Sequence, residues 1–224
     1  NKDYQAQTPG MFVTDNLIKF NNTYLFKAGQ TLNAPSWQVL YINYDVEDNI
    51  CLSKDGYAKR IVIYDSHSNA IEESFYDIDG ELCTIVDGYA RTQMKYNIQG
   101  SILECSYYGV DGDLCLNENG FAKFISKYDS KSNEIERTFY GVDGKLCSIV
   151  SGCAKWTAKY DSRGNMLEQS YYGTDGVPCL IPSGFSKIVL KYNSKDNRIE
   201  ESYYDVAGEL CMHKEGYAIV YRKY

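Results

Sequence analysis

One stretch of 32 residues decides the fold: GYARTQMKYNIQGSILECSYYGVDGDLCLNEN, residues 88–119. The next stretch, GFAKFISKYDSKSNEIERTFYGVDGKLCSIVS, residues 120–151, repeats its pattern without insertion or deletion. Five full repeats run from Gly56 to Glu215, and a sixth reaches Tyr224. Self-similarity at a fixed period indicates a repeat architecture, in which each repeat packs on its neighbours.

Several residue types hold the same register in every repeat. Six cysteines recur at intervals of 32 residues, and we call them the ladder cysteines: Cys51, Cys83, Cys115, Cys147, Cys179 and Cys211. Five glutamates recur at the same interval, and we call them the column glutamates: Glu72, Glu104, Glu136, Glu168 and Glu200. Residues 36–55 form a degenerate half-repeat, since Tyr44 and Cys51 stand in register with Tyr76 and Cys83. Residues 1–35 do not fit the pattern, so we interpret them as an N-terminal cap or lead-in.

Turn signals divide each repeat into extended stretches. The segment Asp161–Asn165 combines residues that tolerate tight turns, and Asp175-Gly176 is a hairpin signal. Between turns, apolar and polar residues alternate with the period of two that is typical of strands. The sequence therefore predicts an all-β fold, an elongated solenoid or continuous meander sheet of stacked β-hairpins. A short third strand is expected around the Leu-Cys pair of each repeat.

The column glutamates have a structural explanation. If the first turn closes symmetrically, Lys159 lies opposite Glu168, and Lys95 and Lys191 lie opposite Glu104 and Glu200. Cross-strand pairs of opposite charge contribute roughly 0.2–1 kcal/mol each. We therefore assign these glutamates a structural rather than a catalytic role.

The ladder cysteines are also predicted to be structural. Two or three strands per repeat, at about 4.8 Å spacing, would hold equivalent cysteines about 10–14 Å apart. A disulfide needs Cα atoms within roughly 7 Å, so we expect buried free thiols that fill a small apolar slot. A β-helix with one rung per repeat would instead bring the cysteines to strand spacing. Cys105 and Cys153 lie outside the ladder, and their pairing is left open.

The tyrosines are the candidate binding residues of this chain, which contains 22 of them. Two aromatic columns are adjacent in sequence, so one is expected in the core and the other on the solvent side. Alternation with leucine and isoleucine assigns Phe75 and its equivalents to the core. The outer column is Tyr76, Tyr108, Tyr140, Tyr172 and Tyr204. It either stacks against sugars or a partner protein, or merely covers a thin sheet.

Charge and motifs argue against other classes of function. A net charge of −7 supplies no basic footprint for nucleic acid, and no apolar run is long enough to cross a bilayer. The two histidines, His67 and His213, accompany no short-spaced cysteine pair, so we predict no metal and no cofactor. No nucleophile–base set recurs among the repeats, and we therefore predict that the chain is not an enzyme.

Two families share short motifs with the repeats. The Tyr-Asp-Ser-x-Gly-Asn string at Tyr160–Asn165 resembles the Tyr-Asp repeats of bacterial Rhs-type proteins. That resemblance implies hairpins that wind into a shell or extended sheet around cargo. The Tyr-Tyr-Gly-x-Asp-Gly string at Tyr171–Gly176, which recurs at Tyr108–Gly112, is similar to choline- and glucan-binding cell-wall repeats. Their hairpins stack into a solenoid, and aromatic residues between the turns hold the ligand.

The sequence thus favours a non-catalytic interaction or structural scaffold, within a larger bacterial protein or assembly. The expected partner is a protein, or a second copy that pairs with an open sheet edge. The alternatives are carbohydrate or cell-wall binding through the outer tyrosine column, and an Rhs-like shell segment. The compartment is undecided, with the cell surface or secretion favoured over the cytoplasm.

Overall fold

The structure, a computed structural model, describes residues 36–224 and the backbone of four short strands before them. The chain divides into two compact units, Asn1–Glu118 (unit 1) and Asn119–Tyr224 (unit 2). The strands of unit 1 are β1 (Tyr4–Gln5), β2 (Phe12–Thr14), β3 (Leu17–Phe20), β4 (Thr23–Phe26), β5 (Trp37–Ile42), β6 (Lys59–Tyr64), β7 (Ala70–Tyr76), β8 (Arg91–Tyr96) and β9 (Ile102–Tyr108). Those of unit 2 are β10 (Lys123–Tyr128), β11 (Glu134–Tyr140), β12 (Lys155–Tyr160), β13 (Met166–Tyr172), β14 (Lys187–Tyr192), β15 (Arg198–Tyr204) and β16 (Ile219–Tyr221).

Within each unit the strands form an antiparallel meander. Each strand pairs with the strands that precede and follow it in the same unit. The part of the chain that the structure describes contains no helix. The predicted all-β fold of successive hairpins is therefore confirmed.

The first turn of each repeat joins the two strands of a hairpin. Between β12 and β13, the Asp161 amide donates to the Asn165 carbonyl at 2.9 Å, and Gly164 has a φ of 89°. The Asp161 carboxylate accepts hydrogen bonds from the amides of Arg163 and Asn165 at 2.8 and 2.9 Å. An aspartate that bonds its own turn explains why Asp or Asn begins this segment in each repeat.

The second turn replaces the predicted third strand. The Gly173 amide donates to the Val177 carbonyl at 2.9 Å, and Tyr172 forms only an isolated bridge with Pro178. The equivalent Leu82, Leu114, Leu146 and Leu210 make the same single bridge. The prediction of a short strand here was wrong, because the next residue, a ladder cysteine, already bonds back across the turn. The Cys179 amide, for example, donates to the Tyr171 carbonyl at 3.1 Å, and the chain then enters a third turn.

The third turns connect successive repeats within each unit. In unit 1 the Val86 amide donates to the Asp55 carbonyl at 3.0 Å, and the Glu118 amide to the Asp87 carbonyl at 2.8 Å. Unit 2 contains the same bond from Val150 to Asn119 at 3.0 Å. Position 182 is a proline, which lacks the amide hydrogen that this bond requires.

An aromatic stack between the third turns and one sheet face forms the core. In unit 1 the ring centroids of Tyr57, Phe75, Tyr89 and Tyr107 follow one another at 5.1, 6.0 and 4.8 Å. In unit 2 Phe185 lies between Tyr171 and Tyr203, at 6.0 and 4.9 Å. Phe75, Phe139 and Tyr203 are buried and Tyr107 and Tyr171 half-buried, as predicted for the inner column. The aromatic residues of the third turn were not predicted as core.

One repeat replaces a turn aromatic with a cysteine. Cys153 occupies the register position of Tyr89 and Phe185, and its exposed fraction is 1%. Such a small side chain fits because a free thiol packs as a small hydrophobe. The alternation of turn and strand rings is therefore interrupted between Phe139 and Tyr171.

The segment before Gly56 follows the repeat geometry from Trp37 onward. Tyr44 bridges Ile50 as Tyr76 bridges Leu82, and Asp48 has a φ of 67° where Gly80 has 89°. The predicted cap, residues 1–35, lies outside the described residues except for the backbone of β1–β4. Of these strands, β4 pairs with β5 through residues 23–26.

Candidate functional site

Strand alternation places the column glutamates and the outer tyrosines on the same face of each unit. In the hairpin of β12 and β13, Lys155 stands opposite Tyr172, Thr157 opposite Ser170, and Lys159 opposite Glu168. We call the face that carries the column glutamates and the outer tyrosines the charged face. The opposite, core face carries the inner aromatic column.

The column glutamates are ion-paired across the hairpin. The lysine–carboxylate distances are 3.0 Å for Lys95–Glu104, 2.9 Å for Lys159–Glu168 and 2.8 Å for Lys191–Glu200. Glu72, the first of the five column glutamates, has no lysine partner in the described part of the chain. Its carboxylate instead accepts a hydrogen bond from the side-chain amide of Gln93 at 3.0 Å. The predicted cross-strand pairing is therefore confirmed in register and in contact. These carboxylates therefore pair with groups on the neighbouring strand of the same sheet.

Glu136 has two lysine partners, on two different strands. Its oxygens lie 2.8 Å from Lys127 Nζ and 2.7 Å from Lys155 Nζ. Burial alone would raise the pKa of Glu136, but the hydrogen bonds from the two lysines outweigh burial and lower it. The same contact raises the pKa of Lys127. Glu136 therefore links β10, β11 and β12 as a charged group.

A cation covers most of the outer tyrosine rings. The distance from cation to ring centroid is 4.8 Å for Arg91 over Tyr108, 5.2 Å for Lys123 over Tyr140, 5.8 Å for Lys155 over Tyr172 and 4.7 Å for Lys187 over Tyr204. Tyr76 stands opposite Lys59 in the same register. Cations lie over aromatic faces because the ring quadrupole attracts them. One face of each covered ring is thus already occupied by the chain itself.

A cavity of about 290 Å³ opens beside Tyr172 on the charged face. Glu168, Tyr172, Ser186 and Lys187 contribute a carboxylate, an aromatic ring, a hydroxyl and an amine to its wall. Ser186 is the only one of these that replaces an alanine found in the other full repeats, at positions 58, 90, 122 and 154. Two of these groups already have partners, since the Ser186 hydroxyl donates to the Asp205 carbonyl at 2.6 Å and Glu168 pairs with Lys159.

The ladder cysteines are half-buried, less deeply than the buried thiols that were predicted. The six ladder cysteines and Cys153 are free thiols. Each ladder thiol from Cys83 onward donates to the carbonyl of the repeat glycine 27 residues earlier, as Cys179 does to Gly152 at 3.5 Å. Burial raises the pKa of Cys83, Cys115, Cys147, Cys179 and Cys211. A raised pKa makes these thiols weak nucleophiles.

The second turns of unit 1 expose apolar side chains among acidic ones. Val46, Ile78 and Val110 occupy the same turn position and are 96%, 52% and 56% exposed. Their turns, 45–49, 77–81 and 109–113, hold no basic residue and eight acidic ones: Asp45, Glu47, Asp48, Asp77, Asp79, Glu81, Asp111 and Asp113. We call these three turns the second-turn ridge. The period of Val and Ile at this position was visible in the sequence but was not recognised.

The residues that the structure describes contain no cluster of histidine, cysteine and carboxylate side chains able to hold a metal ion. The turn aspartates are occupied by their own turns. Hydrogen bonds from the Asn133 side chain and backbone lower the pKa of Asp129, and those from Asn165 lower the pKa of Asp161. Within the same described residues, no helix is long and apolar enough to span a membrane.

Comparison with known proteins gives a weak structural likeness. No family model matches the chain, and no curated protein matches it. Among solved structures, the chain is similar to the TcdB2-TccC3-Cdc42 and TcdB2-TccC3-TEV crystal structures, each with 12% identity and a TM-score of 0.30. The match covers 84% and 83% of this chain but only 9% of each of those chains. At this TM-score the likeness assigns neither a family nor a function.

Proposed function

We propose that the chain is a non-catalytic repeat scaffold that binds a protein partner along the second-turn ridge. The carrying observation is the exposure of Val46, Ile78 and Val110 within three turns that hold eight acidic residues and no basic one. Val142 and Val206 of unit 2 are also exposed, but their turns are less acidic. Exposed apolar side chains that recur in one row are typical of an interaction surface. Two strands per repeat space the turns by about 10 Å, so an extended partner segment meets them in sequence.

Charge selects the chemistry of the partner. No basic residue belongs to the three turns, and Lys59 Nζ reaches Gly80 of the middle turn, so the eight acidic residues of the ridge retain an excess of negative charge. A partner segment with apolar side chains and flanking lysine or arginine would therefore match both the apolar positions and the field of the ridge. The corresponding turns of unit 2 carry fewer carboxylates, and Lys145 there lies 3.6 Å from Asp143.

The non-catalytic assignment rests on how the repeated reactive groups are used. Four of the five column glutamates are paired with lysines, and the ladder thiols from Cys83 onward have raised pKa values. General acid–base and nucleophilic catalysis both need such groups directed at a substrate. Scaffolding requires only that successive repeats hold one another in place.

A peptide-display selection tests the proposal. The wild-type chain should enrich peptides that combine apolar residues with lysine or arginine, and their binding should weaken as salt rises. The triple variant Val46→Ser, Ile78→Ser and Val110→Ser should lose this enrichment. A matched variant of unit 2, Val142→Ser with Val206→Ser, should retain it. Equal enrichment by the wild type and the triple variant would refute the role of the ridge.

Carbohydrate binding is the second candidate, supported by the cavity beside Tyr172. A sugar ring would stack on the face of Tyr172 that Lys155 leaves open, beside Glu168. Tyr172→Ala should lower retention on a glycan array, whereas Tyr108→Ala and Tyr140→Ala serve as matched controls in the same column. Retention that is equal in all variants and the wild type would end this candidate.

An Rhs-like shell segment, within a larger bacterial assembly, is a third form of the scaffold proposal. Its support is the Tyr-Asp turn at Tyr160–Asn165 and the antiparallel hairpins of each unit. A cargo polypeptide fused to the chain should then resist protease longer than the free polypeptide. Self-association through a sheet edge is tested by light scattering, where the mass of a single chain at high concentration would contradict it.

A further inference from the structure

The first turns of unit 2 are tied to one another by cationic side chains. Arg163, the third residue of its turn, donates to the carbonyls of Ser194 and Asn193 in the next first turn, at 3.1 and 3.5 Å. Its Nε lies 3.0 Å from the Asp196 carboxylate. Lys131, the third residue of the preceding turn, donates in the same way to the Ser162 carbonyl. Each cleft between first turns of unit 2 is therefore occupied by a cation of the chain itself.

In the corresponding cleft of unit 1, His67 takes the position of Arg163 and lines the cleft, so no arginine or lysine occupies that position. Here the third residue is His67, and a cavity of about 400 Å³ separates turn 65–69 from turn 97–101. Asp65, Asn69 and Asn97 line the cavity and match Asp161, Asn165 and Asn193 in register. The groups around the cleft are thus largely those that surround Arg163.

Two carbonyl acceptors for a guanidinium group are present in this cleft. The backbone of Asn97 and Ile98 stands where Asn193 and Ser194 receive Arg163. The Asn97 carbonyl accepts the Gly100 amide at 3.0 Å, as the Asn193 carbonyl accepts the Asp196 amide at 3.1 Å, and each oxygen has a second lone pair. The carboxylate that pairs with Arg163 has no counterpart here, since Gly100 stands in place of Asp196 and the Asp65 carboxylate already accepts the amides of His67 and Asn69.

We propose that the cleft between turns 65–69 and 97–101 binds a guanidinium group, supplied by an arginine side chain of a partner protein. A guanidinium fits better than an ammonium because its planar fork can reach two adjacent carbonyls together, as Arg163 does. The site is separate from the second-turn ridge and does not depend on it.

A titration followed by amide NMR shifts tests the site. Addition of N-acetyl-arginine amide should shift the amides of Asn69, Gln99 and Gly100 saturably, and the neutral isostere N-acetyl-citrulline amide should not. His67→Arg should reduce this binding at least about tenfold, because the new side chain fills the cleft as Arg163 fills its own.

Two gain-of-binding variants sharpen the result. Gly100→Asp supplies the missing carboxylate, and the φ of 82° at Gly100 is close to the 61° that Asp196 adopts. It should tighten binding roughly twofold to fivefold, the contribution of an exposed ion pair. Arg163→Ser empties the cleft of unit 2 and should create a second site, reported by the Asn165 and Asp196 amides.

Each outcome decides the proposal. Absence of shifts in the wild type, or unchanged binding in His67→Arg, would overturn the site. Should His67→Arg fail to fold, the Gly100→Asp and Arg163→Ser variants decide instead, and unchanged binding in both overturns it. A Gly-Arg-Gly peptide distinguishes two sources of the guanidinium group, an arginine within a polypeptide and a small free guanidine. If N-acetyl-arginine amide binds and the peptide does not, the cleft takes small guanidines and the partner protein is excluded.

Discussion

Glu200 and Glu201 are neighbours in β15, yet their carboxylates lie in different environments. Glu200 lies on the charged face, 2.8 Å from Lys191 in a pair that is partly open to solvent. Glu201 lies on the core face, is 6% exposed, and accepts a hydrogen bond from Tyr203 at 2.8 Å. Arg198 and Arg222 both pair with it. Adjacent strand residues point to opposite faces of the sheet. The ion pair of Glu200 is therefore at the surface, whereas that of its neighbour Glu201 is buried.

The same contrast holds for the two aromatic columns. In β11, Phe139 is buried at 4% exposure and its ring centroid lies 4.9 Å from that of Phe121. Its neighbour Tyr140 is half-exposed beneath Lys123. The core face therefore holds each unit together by burial, and the charged face adds many small cross-strand contacts. Substitutions at adjacent positions should differ accordingly in cost.

The largest difference is expected between Phe139→Ala and Tyr140→Ala. Removal of the buried ring leaves a cavity and should cost about 3–5 kcal/mol of unfolding free energy, whereas loss of the outer ring should cost about 1 kcal/mol. In a Trp37→Phe background, urea unfolding followed by the fluorescence of Trp156 reports on unit 2. Equal losses would show that the two faces do not differ as described.

The glutamate pair should show a smaller difference. Glu201→Gln weakens a buried acid with two arginine partners and should cost about 2 kcal/mol. Glu200→Gln should cost about 0.5 kcal/mol, because its lysine pair is exposed to water and salt. The same unfolding assay, repeated at high salt, should reduce only the Glu200 effect. A cost at Glu200 that matches the cost at Glu201 contradicts the assignment of faces.

The smallest effect is the dependence of the Glu201 contribution on pH. Burial would raise the pKa of Glu201, but the hydrogen bonds from Tyr203 and Arg222 and the charge of Arg198 hold it below its ordinary value of 4.5. A carboxyl whose pKa is lowered on folding stabilises the fold above its unfolded pKa and loses that contribution as the pH falls through its folded pKa. The stability difference between wild type and Glu201→Gln should be complete at pH 7 and shrink below about pH 4.5. A difference that is constant down to pH 3 would refute this linkage.

Local patterns in the sequence predicted the hairpins, the first turns and the pairing of Lys159 with Glu168. These features depend on residues close in sequence, whose alternation and turn chemistry act over a few positions. The third strand was predicted wrongly because a single bridge at Leu82 and a strand give similar short patterns. The cysteine ladder was placed too deep because its register did not indicate that the thiols from Cys83 onward each meet the carbonyl of a repeat glycine.

Other features of the candidate sites depend on contacts between repeats. The cations over Tyr108 and Tyr172, and the cavity beside Tyr172, arise from strand register and from side chains of neighbouring repeats. The aromatic stack from Tyr57 to Tyr107 joins residues of two turns and two strands. The 32-residue period shows which of these residues are equivalent. The distances between their side chains follow only from how the repeats pack.

The sequence by itself determined the period, the all-β class and the division of each strand into two faces, because a repeat of 32 residues imposes one local geometry many times. Tertiary structure alone decided which side chains meet across repeats: Arg163 fills one cleft between first turns, while His67 leaves the equivalent cleft open. The physical reason is that occupancy depends on the reach of one side chain toward carbonyls some 30 residues away, as from Arg163 to Ser194. No local pattern encodes that distance.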